Sequence, residues 1–182
     1  NGMITSKVNR EFEQIFPKPG WVEHRLDDIW NGSLTCIKEV LEKSNISAHK
    51  IEAIGITNQR ETVGLWDKKT GTALHNAIVW QCRRTTAFCE GLKKKGAERT
   101  IKAKTGLVVD PYFSASKINW LLKNVTGARK KAKEGKILGG TIDSFLVWKL
   151  TGGISHKTDV SNASRTQLMN IKTGKWDKEL LK

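Results

Sequence analysis

Four side chains stand where they could grip a polyhydroxylated small molecule. Arg60 and Glu61 close the run Thr57-Asn58-Gln59-Arg60-Glu61, which follows the apolar stretch Ile51–Ile56 and precedes Val63. Five consecutive polar residues between apolar ones fit poorly with a strand that merely continues through a core. Arg60 offers a rigid multi-donor fork and Glu61 an acceptor, the two functions needed to hold neighbouring hydroxyls. Trp80 ends a second short apolar run, Ala77–Trp80, just before Gln81-Cys82-Arg83-Arg84. Its ring could wall the C–H face of such a ligand. Tyr112, in the loop Asp110-Pro111-Tyr112-Phe113, adds a hydroxyl carried on an apolar ring. Two apolar runs that both deliver polar groups at their exits suggest a small-molecule site at strand ends.

Each residue taken singly also has an ordinary explanation. An adjacent Arg–Glu is most often a solvated surface pair, a Trp in an apolar run is most often core, and a loop Tyr packs with its hydroxyl in water. One geometric demand separates the two readings. Successive residues on a regular strand point to opposite faces, so Arg60 and Glu61 share a ligand only if the chain leaves strand geometry there.

The elements that must position these residues are mixed helix and strand. Ile51–Ile56 is expected as a strand entering a buried position. Thr62–Trp66 and Leu74–Trp80 flank Asp67-Lys68-Lys69-Thr70-Gly71 and read as a hairpin. Upstream, residues 3–16 fit helix or strand equally, and Pro17, Pro19 and Gly20 end that segment. Asp27 and Asp28 open a helix whose inner face is Trp30, Leu34, Ile37, Val40 and Leu41, with its exit at Ser44-Asn45. Helices are expected over Thr85–Lys95 and Ala97–Lys104. Another, capped by Ser114 or Ser116, carries Ile118 and Leu121. A basic helical segment over Thr126–Glu134 leads to a brief Ile137-Leu138 strand, and Gly139-Gly140 precedes Thr141 as N-cap of a helix over Ile142–Leu150. Thr173-Gly174 turns the chain toward a final helix starting at Asp177. No repeat or linker interrupts this alternation, so the class is α/β or α+β.

Bulk properties narrow the function classes. A 182-residue chain that is 38% hydrophobic can build one real core. No apolar run approaches the roughly 18–20 residues needed to span a bilayer, and no signal peptide is visible. The sequence opens on Asn1 without an initiator Met, so it is expected to be part of a longer protein. Cys36, Cys82 and Cys89 lack CxxC spacing and the four histidines form no ligand-spaced pair, so neither a disulfide framework nor a zinc site is indicated. The net charge of +14 gathers in runs such as Lys93-Lys94-Lys95 and Arg129-Lys130-Lys131. No aromatics alternate with them as a base-stacking groove requires. Solvated helix faces are therefore favoured over a nucleic-acid partner.

Local signatures such as a P-loop, GxGxxG, GxSxG or HExxH are absent. Longer stretches are informative. Phe12–His24 (FEQIFPKPGWVEH), Gly55–Thr62 (GITNQRET), Asn76–Thr85 (NAIVWQCRRT), Thr105–Phe113 (TGLVVDPYF) and Asn162–Thr166 (NASRT) occur in order along the chain. The sequence closely resembles the glycerol kinases of the FGGY carbohydrate-kinase family over essentially its whole length, and Tyr112–Leu121 resembles that family's first signature. The resemblance implies an α/β fold of the actin/hexokinase-like ATPase type, with residues 1–182 as a ribonuclease-H-like N-terminal domain that lacks its first strands and has no C-terminal domain. It implies ATP-dependent phosphorylation of glycerol with Mg²⁺, in the cytoplasm, by an enzyme that is a homo-oligomer when full length. Arg60 and Glu61 would bind glycerol hydroxyls, Trp80 would line the pocket and Tyr112 would hydrogen-bond the substrate. An Asp-x-Gly-Thr-Thr turn that contacts ATP phosphates and metal would precede this sequence. The general base and most of the nucleotide site would lie beyond Lys182. No catalytic, nucleotide-binding or metal-binding residue is thus assigned within the chain, and the segment alone is expected to be inactive. An FGGY kinase for another polyol or sugar is the nearest alternative, followed by a non-catalytic binding protein.

Overall fold

Six short strands and seven helices alternate along residues 2–182, the part of the chain that the computed structural model describes. Strand β1 (Glu23–His24) is followed by helix α1 (Leu26–Ser44) and a single 3-10 turn over Ala48–Lys50. Strands β2 (Val63–Asp67) and β3 (Ala77–Ile78) form the expected hairpin. Helices α2 (Thr86–Lys94), α3 (Ala97–Thr105), α4 (Ser114–Asn124) and α5 (Ala128–Lys133) lead to β4 (Ile137–Thr141) and α6 (Ile142–Leu150). A short α7 (Val160–Ala163) and the hairpin β5 (Met169–Asn170)/β6 (Lys175–Trp176) complete the described chain.

The first four strands make one antiparallel sheet in the order β1-β3-β2-β4. Alternation along β2 explains why the sheet is covered on both faces. Val63 and Leu65 pack with Ile78, Val79, Leu121, Ala128 and Ile137 beneath α4 and α5. Trp66 points the other way, into a cluster with Leu26, Ile29, Ala77, Phe145 and Trp148 from α1, β3 and α6. It meets Phe145 edge-on at 5.1 Å between ring centroids, a favoured aromatic geometry. The turn between β2 and β3 is built by Asp67, whose Oδ1 accepts the N–H groups of Lys69 and Thr70 at 2.9 and 3.0 Å.

Several local expectations need correction. Ile51–Ile56 is not a strand: Ile51 and Ile54 are 44% and 59% exposed, and among the described residues no strand pairs with the segment. A β-prone run becomes a strand only against a partner backbone, and none of the described strands lies beside it. Residues 3–16 form neither helix nor strand beyond an isolated antiparallel bridge between Ile15 and Glu23. Strand β4 does not stop at Leu138 but continues through Gly139-Gly140 to Thr141. The glycines are there for space: a Cβ at 139 would lie 2.5 Å from Leu65 Cδ2, and one at 140 would lie 2.2 Å from Ser144 Oγ. No helix begins at Asp177, whose Oδ1 accepts the N–H groups of Glu179 and Leu180 in a turn that goes no further. Helix α1 starts with Asp27 and Asp28 and exits through left-handed Asn45 as expected. Only Leu26 and Ile29 on it are fully buried, and the predicted inner face from Trp30 to Leu41 is half-buried.

Candidate functional site

The antiparallel register brings the start of β2 and the ends of β3 and β4 to one end of the sheet. Val63 pairs with Ile78 on one side and Thr141 on the other. Glu61, two residues before Val63, and Trp80, two residues after Ile78, therefore emerge together. Thr62 joins them further: its Oγ1 accepts the Trp80 N–H at 3.2 Å and donates to Gln59 Oε1 at 2.6 Å. From the end of β4, Asp143 in the first turn of α6 reaches the same end. It accepts Asn58 Nδ2 at 3.2 Å and the Thr158 hydroxyl at 2.7 Å. Glu61 and Trp80 thus share one end of the sheet, but Glu61 sits at the entry to β2 and not at the exit of an Ile51–Ile56 strand.

The demand on backbone geometry at Arg60–Glu61 is met. The two residues form a turn, and Glu61 has φ +63°, a left-handed conformation rare for a non-glycine residue. Such strain persists only when the surroundings over-determine it. Here the Ser114 hydroxyl donates to the Glu61 carbonyl at 3.2 Å, and Arg165 Nε donates to Glu61 Oε1 at 2.5 Å. Ser114 is therefore not the cap expected for α4; its buried hydroxyl serves Glu61, and that of Ser116 meets Thr85 at 2.8 Å. Glu61 is only 3% exposed, and no hydrogen bond among the described residues takes its Oε2.

The aromatic pair lies alongside. Trp80 and Tyr112, both half-buried, stand with ring centroids 5.1 Å apart. The Arg165 guanidinium links Tyr112 to Glu61, with Cζ 5.5 Å from the Tyr112 centroid and 4.9 Å from that of Phe113. Glu61, Trp80 and Tyr112 are thus gathered into one cluster. Arg60 is exposed, and among the described residues its guanidinium has no hydrogen bond or ion pair. A groove of about 550 Å³ lined by Gly140, Ser144, His156, Thr158 and Leu168 includes none of these four residues.

The Tyr112 turn is fixed from beneath. Lys117, on α4 and fully buried, donates to the carbonyls of Pro111, Tyr112 and Phe113 at 3.0, 2.5 and 3.0 Å. Burial pushes its pKa down to about 7, against the opposing pull of the Glu61 charge. Asp110 holds the same turn from the other end, accepting the Tyr112 N–H at 2.8 Å and Arg83 Nη1 at 3.0 Å.

Arg165, Lys117 and the Asn58–Asp143 link were not singled out from sequence. Lys117 had a signal: it precedes buried Leu121 by four residues, which puts a lysine on the core face of α4. Arg165 had only its place in the Asn162–Thr166 stretch, which says nothing of Glu61, 104 residues away along the chain. The donor set does not suit a divalent cation: among the described residues no group of three or more His, Cys, Asp or Glu gathers to hold one. No described helix is long and apolar enough to cross a membrane.

A sequence profile of the N-terminal domain of the FGGY family of carbohydrate kinases matches residues 1–182. The chain belongs to this family. Glycerol kinase of Bdellovibrio bacteriovorus is 65% identical over 181 residues, which cover 100% of this chain and 37% of that protein. The crystal structure of Plasmodium falciparum glycerol kinase with ADP is similar at a TM-score of 0.87 and 40% identity, covering 94% of this chain and 34% of that one. Ligand-bound xylulose kinase from Lactobacillus acidophilus follows at a TM-score of 0.79 and 25% identity, covering 94% of this chain and 33% of that one. The mixed α/β architecture is that of the actin/hexokinase-like FGGY kinases. The FGGY chain described here spans little more than a third of the length of the curated relatives it matches.

Proposed function

We infer that residues 1–182 are part of the N-terminal domain of an ATP-dependent glycerol kinase and carry the glycerol-binding side of its active site. In this reading Arg60 donates to one glycerol hydroxyl while the free Oε2 of Glu61 accepts from its neighbour. Trp80 covers the C–H face of the polyol, and the Tyr112 hydroxyl takes a further hydrogen bond. The observation that supports this most directly is Glu61. It is a nearly buried carboxylate at a sheet end, one oxygen committed to Arg165 and the other without a partner among the described residues, joined through Arg165 to Tyr112.

Phosphoryl transfer relies on positioning, neutralisation of phosphate charge and a base for the attacking hydroxyl. ATP would supply the transferred group and Mg²⁺ the charge neutralisation, but the residues described here do not fit a metal site, and no step is assigned to them beyond positioning. The base role also goes to none of the carboxylates around the site. Glu61 is tied to Arg165, Asp110 to Arg83 and the Tyr112 N–H, and Asp143 to Asn58 and Thr158. On the same reading the enzyme works in the cytoplasm, as a homo-oligomer when full length.

A kinase for another polyol or sugar is the second reading, favoured by the likeness to xylulose kinase. Glycerol is preferred because curated relatives called glycerol kinase reach 65% identity, against 25% for that xylulose kinase. The test is ADP formation by the full-length protein with glycerol, xylulose and gluconate. The highest kcat/KM is expected with glycerol, and a higher value with either other substrate refutes the assignment.

A further inference from the structure

The carboxylate expected to grip the substrate is itself held by one residue that reaches it from the far end of the chain. Arg165 follows α7, and its backbone is anchored on both sides. Its own N–H donates to Asn162 O at 3.0 Å, and the next carbonyl, that of Thr166, accepts the Ala115 N–H from α4 at 2.9 Å. Asp159 caps the short helix through the Asn162 N–H at 2.8 Å. The side chain leaving this anchored turn is 27% exposed and engages two different parts of the site at once. Nε bonds Glu61, while the guanidinium lies near the rings of Tyr112 and Phe113. A planar, delocalised cation suits that double task, and an ammonium does not.

We propose that Arg165 is a positioning residue that sets the Glu61 carboxylate and the Tyr112 ring at a fixed separation, and so governs how tightly the enzyme holds its polyol. The proposal rests on the glycerol-kinase reading. With one Glu61 oxygen fixed on Arg165, the other is oriented before substrate arrives, and the strained turn at Glu61 has less freedom to relax. Arg165→Ala leaves a nearly buried carboxylate without its cation and the Tyr112 and Phe113 rings without their cover. Arg165→Lys keeps the charge but cannot both bond Glu61 and cover two rings, so it recovers only part of the function.

The test uses the full-length enzyme and varies glycerol and ATP separately. For Arg165→Ala the glycerol KM rises at least tenfold while the ATP KM stays within twofold. Added guanidinium ion lowers the glycerol KM of Arg165→Ala and does nothing for the unsubstituted enzyme. If Arg165→Ala fails to fold, Arg165→Lys and Arg165→Gln are measured the same way, with the larger rise expected for Gln. A glycerol KM unchanged in the variants overturns the proposal. So does an equal rise in both KM values with no guanidinium response, which marks Arg165 as a strut of the fold only. An unsubstituted enzyme that forms no ADP with glycerol overturns the underlying function, and that failure is visible before any variant is made.

Discussion

Replacing Lys117 with methionine removes an ammonium from a cage of three carbonyls while leaving the side-chain volume nearly unchanged, so the variant isolates the effect of one buried charge. Burial lowers the Lys117 pKa from 10.5 to about 7. A folded-state pKa below the unfolded value means that the unfolded chain binds more protons between the two values, and stability rises with pH in that window. The stability associated with neutral Lys117 is fully present above pH 10.5, declines as the pH falls, and is lost as the pH passes about 7. At about 1.4 kcal/mol per pKa unit, the whole window corresponds to about 5 kcal/mol, and the interval from pH 7 to pH 9 to about 2 kcal/mol. The methionine variant has no such term. Urea denaturation of the protein and of Lys117→Met at both pH values should therefore show the stability difference shifting by about 2 kcal/mol in favour of the unsubstituted protein at pH 9. With an m-value of about 2 kcal/mol/M, that is a relative midpoint shift of about 1 M. Parallel curves over this interval would refute the reasoning and show that the three carbonyls keep Lys117 charged at its ordinary pKa. The same titration bears on the site. An ammonium has three N–H donors for the three carbonyls and an amine only two, so the Tyr112 turn loses one anchor as the fold gains stability.

Other perturbations test other parts of the structure. Gly71 has φ +76° and an added Cβ would lie 2.7 Å from the Trp148 ring, so Gly71→Ala combines a left-handed alanine with overpacking and should cost about 2–4 kcal/mol; an unchanged denaturation midpoint would contradict this. Ile54 is 59% exposed and unpaired, so in residues 1–182 Ile54→Lys should change stability by no more than about 0.5 kcal/mol. The added charge should also raise the soluble fraction measured by light scattering, because it blunts an apolar segment open to strand pairing; increased scattering would count against the segment as an aggregation site. Purified residues 1–182 should form no glycerol 3-phosphate from ATP and glycerol, since Asp110 and Asp143 are engaged by neighbouring groups and the open oxygen of Glu61 is given to gripping the polyol, and measurable product would show that one of them serves as the base.

The parts of this fold legible in the sequence are those decided by local chemistry. The acidic start of α1 at Asp27-Asp28, its exit at Asn45 and the Asp67–Gly71 turn all appear as the residue types predict. Expectations failed where a distant partner decides the outcome. Ile51–Ile56 has the composition of a strand but no neighbouring backbone among the described residues. Gly139-Gly140 has the composition of a turn, yet Leu65 and Ser144 need the space a side chain would fill. Ser114 looks like a helix cap until Glu61 claims its hydroxyl. At the candidate site the same division applies. The types of Arg60, Glu61, Trp80 and Tyr112 spoke for polyol chemistry, whereas the Arg165 contact joining Glu61 to Tyr112 depends on a meeting across the chain that no local pattern encodes.

The precision of the site follows from the core more than from the loops that carry it. Val63 is fully buried and pairs at once with Ile78 and Thr141, so the register of three strands is fixed at the residue that lies two positions from Glu61. A one-residue slip of β2 would turn Val63 and Leu65 out of the cluster under α4 and drive Trp66 into it. It would also set Gly64 away from Leu26, whose Cδ1 would lie 2.7 Å from a Cβ there. Core packing thus forbids the slip, and with it any drift of Glu61 relative to Trp80. The Tyr112 turn is tied to the same core through Lys117, on the face of α4 that carries buried Leu121. What the core leaves free is the rotation of the Glu61 carboxylate on its strained turn, and that is the freedom Arg165 removes.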